Sequence, residues 1–340
     1  MVLIVGAGCT GAATAVRLRA KLPDASISVW DKARGAGGRY TTSRETVAGY
    51  ELRADMGAQY ASVDPSDADS MDLMESLVTA GAAKRAVKRE LADTAERHAG
   101  FHNYQGTSGQ NGLVKAMLSM SGADVTFERR VSRLDMRGRS WTATTYDGTS
   151  QDFDCVVMCV PGCGPGGDNL NKINGNWQNQ LSNADWRTVE VPHDARFAVA
   201  LYLRPGSADA LSSFFGDCVE RRVRSDSIEL LIWQSWKNGD PPDGPQVVVA
   251  HTGKSARGNK RSALQPMISE VCGLLRVRQN AVAANKLITW YQSQVLSSSS
   301  RNPCLIASEA PPLILAGDYL TSSSFSGCAS SGAAAAAAAA

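Results

Sequence analysis

Three glycines near the amino terminus, Gly6, Gly8 and Gly11, have the spacing and the neighbours of a dinucleotide-binding loop. In such a loop the first glycine turns the chain off a strand, and the second lets a pyrophosphate approach the backbone. The third lets the following helix pack closely on the sheet, and the free N–H groups of that helix favour phosphate. Asp31 follows about 20 residues beyond Gly11, where a carboxylate accepts hydrogen bonds from a ribose diol. A glycine-rich turn in another kind of α/β protein would leave Asp31 unexplained.

Two later stretches have residue types that suit the same kind of ligand. Gly37 and Gly38 would let the backbone lie against a flat or phosphorylated group, and the guanidinium of Arg39 could bind phosphate through two N–H groups. The alternative is that this segment is a plain surface turn. Near the other end of the chain, Gly317 and Asp318 follow an apolar strand and precede a helix. That arrangement closes a flavin site, with the carboxylate near the ribityl chain or pyrophosphate and the helix start directed at the isoalloxazine. Distant parts of the sequence are therefore expected to meet on one cofactor.

The elements that must position these residues change character along the chain. Residues 2–5 and 26–30 are short apolar runs typical of parallel strands, and the segment between them has the apolar spacing of a helix. After a stretch rich in glycine and proline at 161–176, the pattern becomes strand-like at 196–203, 227–236 and 246–252. An amphipathic helix follows from Leu264 to Leu275, and a strand over 287–295 leads back to the first domain. The alanine run 333–340 favours a helix, and we assign it no function.

Composition excludes several classes of function. The chain has 340 residues, a formal net charge of +2 and 43% hydrophobic residues, which predicts a globular protein without the basic excess of a nucleic-acid binder. No apolar run approaches the ~20 residues that span a bilayer, and the first strand lacks the basic start of a signal peptide. We expect a cytoplasmic monomer that does not bind membranes.

The cysteines and histidines do not predict a metal site or a disulfide framework. The eight cysteines are scattered along a chain that is not small, so we expect no disulfide framework. Cys155, Cys159 and Cys163 are evenly spaced, but the first two lie in the pattern of a buried strand and no fourth ligand is evident. His98 and His102 stand four residues apart without the glutamate that a metalloprotease needs, so we interpret them as a surface pair.

In order along nearly its whole length, the chain resembles the renalase family of flavin enzymes. The segments that support this resemblance are Val2–Gly11, Val29–Ala33, Gly37–Thr42, Ala54–Tyr60, Ser121–Val125, Phe153–Asp154, Val249–Thr252, Trp290 with Ser293–Val295, Gly317–Asp318 and Phe325–Cys328. The resemblance implies an α/β fold with a Rossmann-like FAD-binding domain, of the p-hydroxybenzoate hydroxylase and monoamine oxidase type, and an inserted α+β substrate domain. The first domain would comprise residues 1–75, 101–161 and 288–340. The second would comprise residues 76–100 and 162–287.

The resemblance also implies FAD held without a covalent bond. Cys328 lies downstream of Gly317–Asp318, which is the wrong place for the flavin bond of monoamine oxidases. The cofactor-binding residues would be Gly6, Gly8, Thr10, Gly11, Asp31, Lys32, Gly38, Arg39, Gln59, Tyr60, Val131, Gly317 and Asp318.

The activity implied is oxidation of the isomeric 2- and 6-dihydro forms of NAD(P), with hydride passing to the flavin and oxygen then yielding hydrogen peroxide. The dihydropyridine nitrogen pushes electrons as hydride leaves, so orientation of two rings matters more than a strong general base. His251, Trp290 and Tyr60 match positions at the site, although Trp290 could equally be core packing. Tyr291 and Gln292 replace two basic residues of vertebrate renalases, which leaves the preference between NAD and NADP forms open.

Two other functions are compatible with the sequence. A flavin amine oxidase acting on small amines shares the fold and would need an aromatic pair facing the flavin, for which Tyr60 and Trp290 are the candidates. A non-catalytic flavoprotein or a secreted signalling protein would keep the fold only for binding, and the intact set of Gly6, Arg39 and Asp318 argues against lost catalysis.

Overall fold

Parallel pairing of short apolar strands builds the sheet that holds the amino-terminal glycine loop. The computed structural model describes residues 1–86, 100–164, 166, 169–253, 260–298, 300 and 302–340. Elements of the first half are β1 Val2–Val5, α1 Cys9–Lys21, β2 Ile27–Trp30, β3 Thr42–Val47, β4 Tyr50–Asp55, β5 Ala61–Val63, α2 Ala68–Thr79, β6 Ala83–Arg85, β7 His102–Gly106, α3 Asn111–Ser121, β8 Asp124–Thr126, β9 Val131–Arg137, β10 Ser140–Thr145, β11 Ser150–Phe153 and β12 Cys155–Met158.

A second set of strands and helices follows residue 180. Its elements are α4 Asn183–Val189, β13 His193–Leu203, α5 Ala208–Phe215, β14 Glu220–Arg222, β15 Ile228–Trp233, α6 Gln234–Asn238, β16 Gln246–Thr252, α7 Lys260–Leu275, β17 Val282–Val295, β18 Cys304–Glu309, β19 Pro312–Ala316 and α8 Phe325–Ala339.

The first sheet has the strand order β18-β19-β12-β1-β2-β8. β1 pairs in parallel with β2 and β12, and Leu3 and Ile4 at its centre are fully buried. Continuous apolar strands suit this position, because both faces of a parallel sheet are covered. The predicted α/β, Rossmann-like arrangement of the amino-terminal segment is present.

The second large sheet is antiparallel, with the order β14-β15-β16-β13-β17. Alternate residues of β13 point to opposite faces. Val199 and its neighbours two residues away pack with apolar residues of α7, whereas Ala198 and Ala200 pack with Leu52 of β4 and with Met56 just after it. Every residue of β13 is buried because both faces are covered. One face of this sheet is thereby directed at the segment that precedes Gln59.

The strand predicted over residues 227–236 is wrong at its end. β15 stops at Trp233, and α6 follows at once. The side chains of Gln234 and Ser235 are fully buried and bind backbone N–H groups, those of Asp55 and Val247 respectively. These hydrogen bonds stabilise a helical turn where the strand would otherwise continue, and the apolar pattern of the sequence does not indicate them.

The alanine run at the carboxyl end belongs to the core. Ala335 and Ala336 of α8 are fully buried, and α8 packs on α1. A Cβ at Gly332 would lie 2.9 Å from the backbone nitrogen of Thr14 and 3.0 Å from the Cβ of Ala13. Small side chains on both helices therefore permit an approach that larger residues would prevent.

The predicted domain division stays a prediction. Its boundary at residue 288 falls inside β17, and most of the segment 76–100, including His98, lies outside the described residues. Within the described part of the chain, all eight cysteines are free thiols, and no three metal-ligating side chains form a group that could hold an ion. The described helices include none that is long and apolar enough to cross a bilayer.

Candidate functional site

The glycine loop between β1 and α1 is shaped by close backbone contacts on one side and open space on the other. Gly6 has a φ of +112°, and a Cβ there would lie 2.7 Å from the carbonyl oxygen of Cys159. A Cβ at Gly11 would lie 1.9 Å from the carbonyl oxygen of Gly6. A Cβ at Gly8 would meet no atom of the described residues within 4 Å, and no side chain caps α1. The space before Gly8 and the uncapped helix start suit a pyrophosphate.

Replacement of Gly8 and Gly11 by alanine should separate ligand binding from folding. Gly8→Ala should change the free energy of unfolding of the apoprotein by less than about 0.5 kcal/mol, because its backbone is extended and the methyl group meets nothing. The same methyl group should weaken dinucleotide binding. Gly11→Ala should cost about 3 kcal/mol, since backbone atoms must move. Urea unfolding and titration with FAD measure both effects, and equal destabilisation by the two variants would contradict the assignment.

Asp31 at the end of β2 fastens the loop. Its Oδ2 accepts a hydrogen bond of 2.7 Å from the backbone nitrogen of Ala7, and its Oδ1 accepts one of 2.7 Å from Ala33. Each oxygen keeps a further lone pair for a ribose hydroxyl. Lys32 beside it is exposed.

The chain returns to this end of the sheet at residues 128–131. The backbone nitrogen of Arg129 donates to the carbonyl oxygen of Asp31 at 2.8 Å, and its guanidinium lies 3.8 Å from the ring centre of Trp30. The buried Val131 then begins β9. Val131 is thereby placed near the Asp31 end of the loop.

The two glycine stretches meet. The backbone nitrogen of Gly37 donates to the carbonyl oxygen of Ala7 at 3.0 Å, and Gly37 bridges to Gly8. Gly37 and Gly38 have φ values of +136° and +54°, which glycine adopts without strain. Gly38 is exposed, and a Cβ there would lie 3.5 Å from the Cα of Gly8. A side chain at Gly38 would therefore crowd the space in front of the loop.

Arg39 and Asp318 join the two ends of the sequence. The guanidinium donates to both carboxylate oxygens at 2.5 and 2.6 Å, and the hydroxyl of Ser323 donates to one of them. Burial would raise the pKa of Asp318, but the charge of Arg39 and these hydrogen bonds outweigh it and hold the pKa below its usual range. Gly317 just before it is held through its backbone nitrogen by Ser331 of α8 at 2.8 Å. The ion pair brings these two distant stretches together, and their meeting on one cofactor stays a prediction.

The other predicted site residues lie where the antiparallel sheet faces residues 56–60. The indole nitrogen of Trp290 donates to the carbonyl oxygen of Met56 at 2.8 Å, and the hydroxyl of Tyr60 donates to Glu220 at 2.6 Å. Nε2 of His251 lies 3.4 Å from Nε2 of Gln59. His251, Trp290 and Glu220 thus bind one short segment from three strands of one sheet. A packed tryptophan also makes an indole hydrogen bond of this kind, so the role of Trp290 stays a prediction.

Sequence reasoning missed the buried charges around these residues. Lys237 of α6 donates to Oδ2 of Asp55 at 2.7 Å, and their side chains are 4% and 2% exposed. Arg196 of β13 donates to Asp194 at 2.7 Å and lies 3.4 Å from Glu229. Its Nη2 is buried and has no hydrogen-bond partner among the described residues. Lys237 and Asp55 come from different elements, so no spacing in the sequence signals their contact. Asp194 and Arg196 stand two residues apart on β13, but nothing in that spacing shows that the pair is buried.

His251 is held neutral by this environment. Burial, and then the charges of Arg196 and Lys237, lower its pKa from 6.5 to about 4. A buried neutral imidazole can donate or accept a hydrogen bond, but it does not carry charge at neutral pH.

The depressed pKa of His251 predicts acid sensitivity. As the pH falls below 6.5, the unfolded chain binds a proton that the folded chain does not bind, so the free energy of unfolding decreases. Between pH 7 and pH 5 the loss from this residue should be about 2 kcal/mol. Urea unfolding of the native chain and of His251→Asn at both pH values measures it as a difference, which removes the contribution of His193. Identical pH slopes would show that His251 is not buried neutral.

Residues 4–77 match the NAD(P)-binding Rossmann-like domain. Renalase of Mus musculus is 27% identical over 351 residues, which covers 97% of this chain and 95% of that protein. The chain is similar to renalase. The match and the domain confirm the predicted resemblance and the dinucleotide-binding start of the chain.

Solved structures share the whole fold. An Exiguobacterium protein assigned as a protoporphyrinogen oxidase has a TM-score of 0.67 at 12% identity, covering 98% of this chain and 96% of its own. Putrescine oxidase bound to putrescine has a TM-score of 0.63 at 14% identity, covering 99% and 98%. At these identities the likeness is one of fold, and it confirms the predicted fold class.

Proposed function

We propose that this chain is an FAD-dependent oxidase of the 2- and 6-dihydro isomers of NAD(P)H. The resemblance to renalase along the whole chain supports it. The observation that carries it is the face of the antiparallel sheet, where His251 and Trp290 bind the segment 56–60 that leads away from Arg39. A flat ring placed on this face would be oriented by rigid strands rather than by loops, which is what ring-to-ring hydride transfer requires.

The residues present fit FAD. The open space before Gly8 and the uncapped start of α1 would take the pyrophosphate, with Gly6, Thr10 and Gly11 shaping the loop. Asp31, Lys32 and Val131 would lie at the adenosine end. Gly38, Arg39, Gly317 and Asp318 would lie toward the ribityl chain, with Gln59 and Tyr60 beyond them. FAD, when bound, would accept hydride from the substrate and pass electrons to oxygen, giving hydrogen peroxide.

The side chains of the site would then position the substrate and would not transfer protons. Trp290, fixed through its indole nitrogen, forms a wall against which a ring can stack. His251 is neutral and offers a polar contact. Tyr60 is tied to the buried Glu220 and keeps a fixed orientation. None of them has to remove a proton, because the dihydropyridine nitrogen supplies the electrons that expel hydride.

The test is anaerobic mixing of the holoenzyme with NADH that contains the 2- and 6-dihydro isomers. Loss of flavin absorbance near ~450 nm is the expected result, with recovery and release of hydrogen peroxide on admission of oxygen. Freshly purified NADH, the 4-dihydro form, is the control. Bleaching by small amines without bleaching by the isomers would overturn the proposal.

An amine oxidase is the second candidate. The putrescine oxidases share the fold, and the buried carboxylate of Glu220, 1% exposed, could pair with an ammonium group. Putrescine in the same anaerobic experiment discriminates between the two functions.

A further inference from the structure

Gln59 is the centre of a buried network that fixes which way its amide points. Its Oε1 lies 2.5 Å from Nε2 of Gln234 and 3.3 Å from Nζ of Lys237, an ammonium that can only donate. Its Nε2 lies 2.7 Å from the carbonyl oxygen of Asp55 and 3.2 Å from that of Gly57, which can only accept. Oxygen toward the donors and nitrogen toward the carbonyls is the one orientation that satisfies all four contacts.

The orientation of Gln234 is itself determined. Its Oε1 accepts a hydrogen bond of 3.1 Å from the backbone nitrogen of Asp55, so its Nε2 must face Gln59. The Lys237–Asp55 ion pair holds the same part of the network from α6. Gln59 is 7% exposed, and Gln234 is fully buried. Rotation of the Gln59 amide by half a turn would therefore place like groups against each other at every contact.

The orientation of the Gln59 amide determines which ring nitrogen of His251 carries the proton. The Gln59 amide turns a nitrogen that carries hydrogens toward Nε2 of His251 at 3.4 Å, so that ring nitrogen must be the acceptor. The two amide hydrogens serve three acceptors, and the longer contacts share one of them. An acceptor at Nε2 places the proton of a neutral imidazole on Nδ1. The flanking charges, Arg196 from β13 and Lys237 from α6 paired with Asp55 of β4, oppose a second proton.

We propose that Gln59 is a positioning residue that holds His251 as the tautomer protonated on Nδ1. His251 then has its hydrogen-bond donor at Nδ1, to which no other described residue is hydrogen-bonded, and this donor would meet an amide-type carbonyl oxygen of the substrate. The donor role rests on the proposed function, whereas the tautomer does not depend on any substrate. On this assignment His251 orients a bound ring and does not act as a general base.

Nitrogen-15 NMR of histidine-labelled holoenzyme tests the tautomer directly. The chain has four histidines, so comparison with His251→Asn assigns the signals. We expect a neutral ring with hydrogen on Nδ1 between pH 6 and pH 8. Gln59→Leu should shift the ring toward the Nε2–H form. Gln59→Glu, which replaces the donor with an acceptor, should favour that form further and raise the pKa of the ring.

The matched control is Gln246→Leu. Gln246 is a buried glutamine that accepts from Trp233 and has no contact with His251, so its loss should leave the His251 signals unchanged. A native ring with hydrogen on Nε2 would overturn the proposal even if neither Gln59 variant folds. So would a Gln59→Leu protein that keeps the native tautomer. The NMR spectrum is recorded without substrate. The tautomer can therefore be confirmed or refuted whether or not the dihydro isomers bleach the flavin.

Discussion

Replacing Lys237 with methionine should lower the free energy of unfolding by about 3–5 kcal/mol. The side chains of Lys237 and Asp55 are 4% and 2% exposed, so removal of the ammonium leaves a carboxylate in a place that water does not reach. Oδ1 of Asp55 would keep its bonds from Thr42 and from the backbone nitrogen of Gln110, at 2.7 and 2.8 Å. Oδ2 would lose its partner. Urea unfolding of the apoprotein at pH 7 measures the loss.

The control for this prediction removes both charges. In Lys237→Met combined with Asp55→Asn, the amide oxygen can keep the two contacts of Oδ1 and no charge is left buried, so most of the lost stability should return. A double variant that is no more stable than the single one would show that the ion pair itself, rather than the stranded carboxylate, stabilises this part of the fold.

Replacing Arg39 with leucine should both destabilise the apoprotein and abolish retention of FAD. Asp318 is 2% exposed and would lose two charge-assisted hydrogen bonds, at a cost of about 3 kcal/mol. The lower end of the usual range applies because the Arg39 side chain is 28% exposed and water can enter beside it. Stability must be measured without FAD, since a bound ligand adds its own contribution.

The double variant Arg39→Leu with Asp318→Leu separates the two roles. With no charge stranded in the core, folding should recover, but the protein should still purify without the yellow colour of flavin. FAD affinity that returns together with stability would show that the pair acts only through the fold.

Features of the site that depend on residues close together in the sequence could be predicted from it. The spacing of Gly6, Gly8 and Gly11 encodes a turn, an open face and a close contact. The contact at Gly11 is with the nearby backbone of Gly6, whereas the turn at Gly6 is also packed against the distant Cys159. Prediction of this kind succeeds where local backbone chemistry decides the structure. The sequence predicts that the stretches around Arg39 and Asp318 meet on one cofactor, but it does not predict the ion pair that joins these two side chains directly.

The charged network around Gln59 could not be predicted in this way. The pattern of residues 227–236 predicts a strand that ends at Trp236, but contacts with Asp55 and Val247 end β15 at Trp233 and place Lys237 on a short helix. Lysine and arginine are usually exposed, so the sequence gives no indication that Lys237 and Arg196 are buried. Their burial and their distant partners, Asp55 for Lys237 and Glu229 for Arg196, come from other parts of the chain and cannot be seen in one stretch of sequence.

The pairing of the parallel sheet has a consequence for how the chain acquires its structure. Val2 lies beside Cys155, and Val156 lies beside Leu313, so two long excursions of the chain must close before the central strands are all in place. Loop closure of this kind has to precede the contacts that reward it, and parallel sheets of high contact order therefore fold slowly. We expect the half-made sheet, with the apolar edge of β12 uncovered until β19 arrives, to be the state in which this protein is most prone to aggregate.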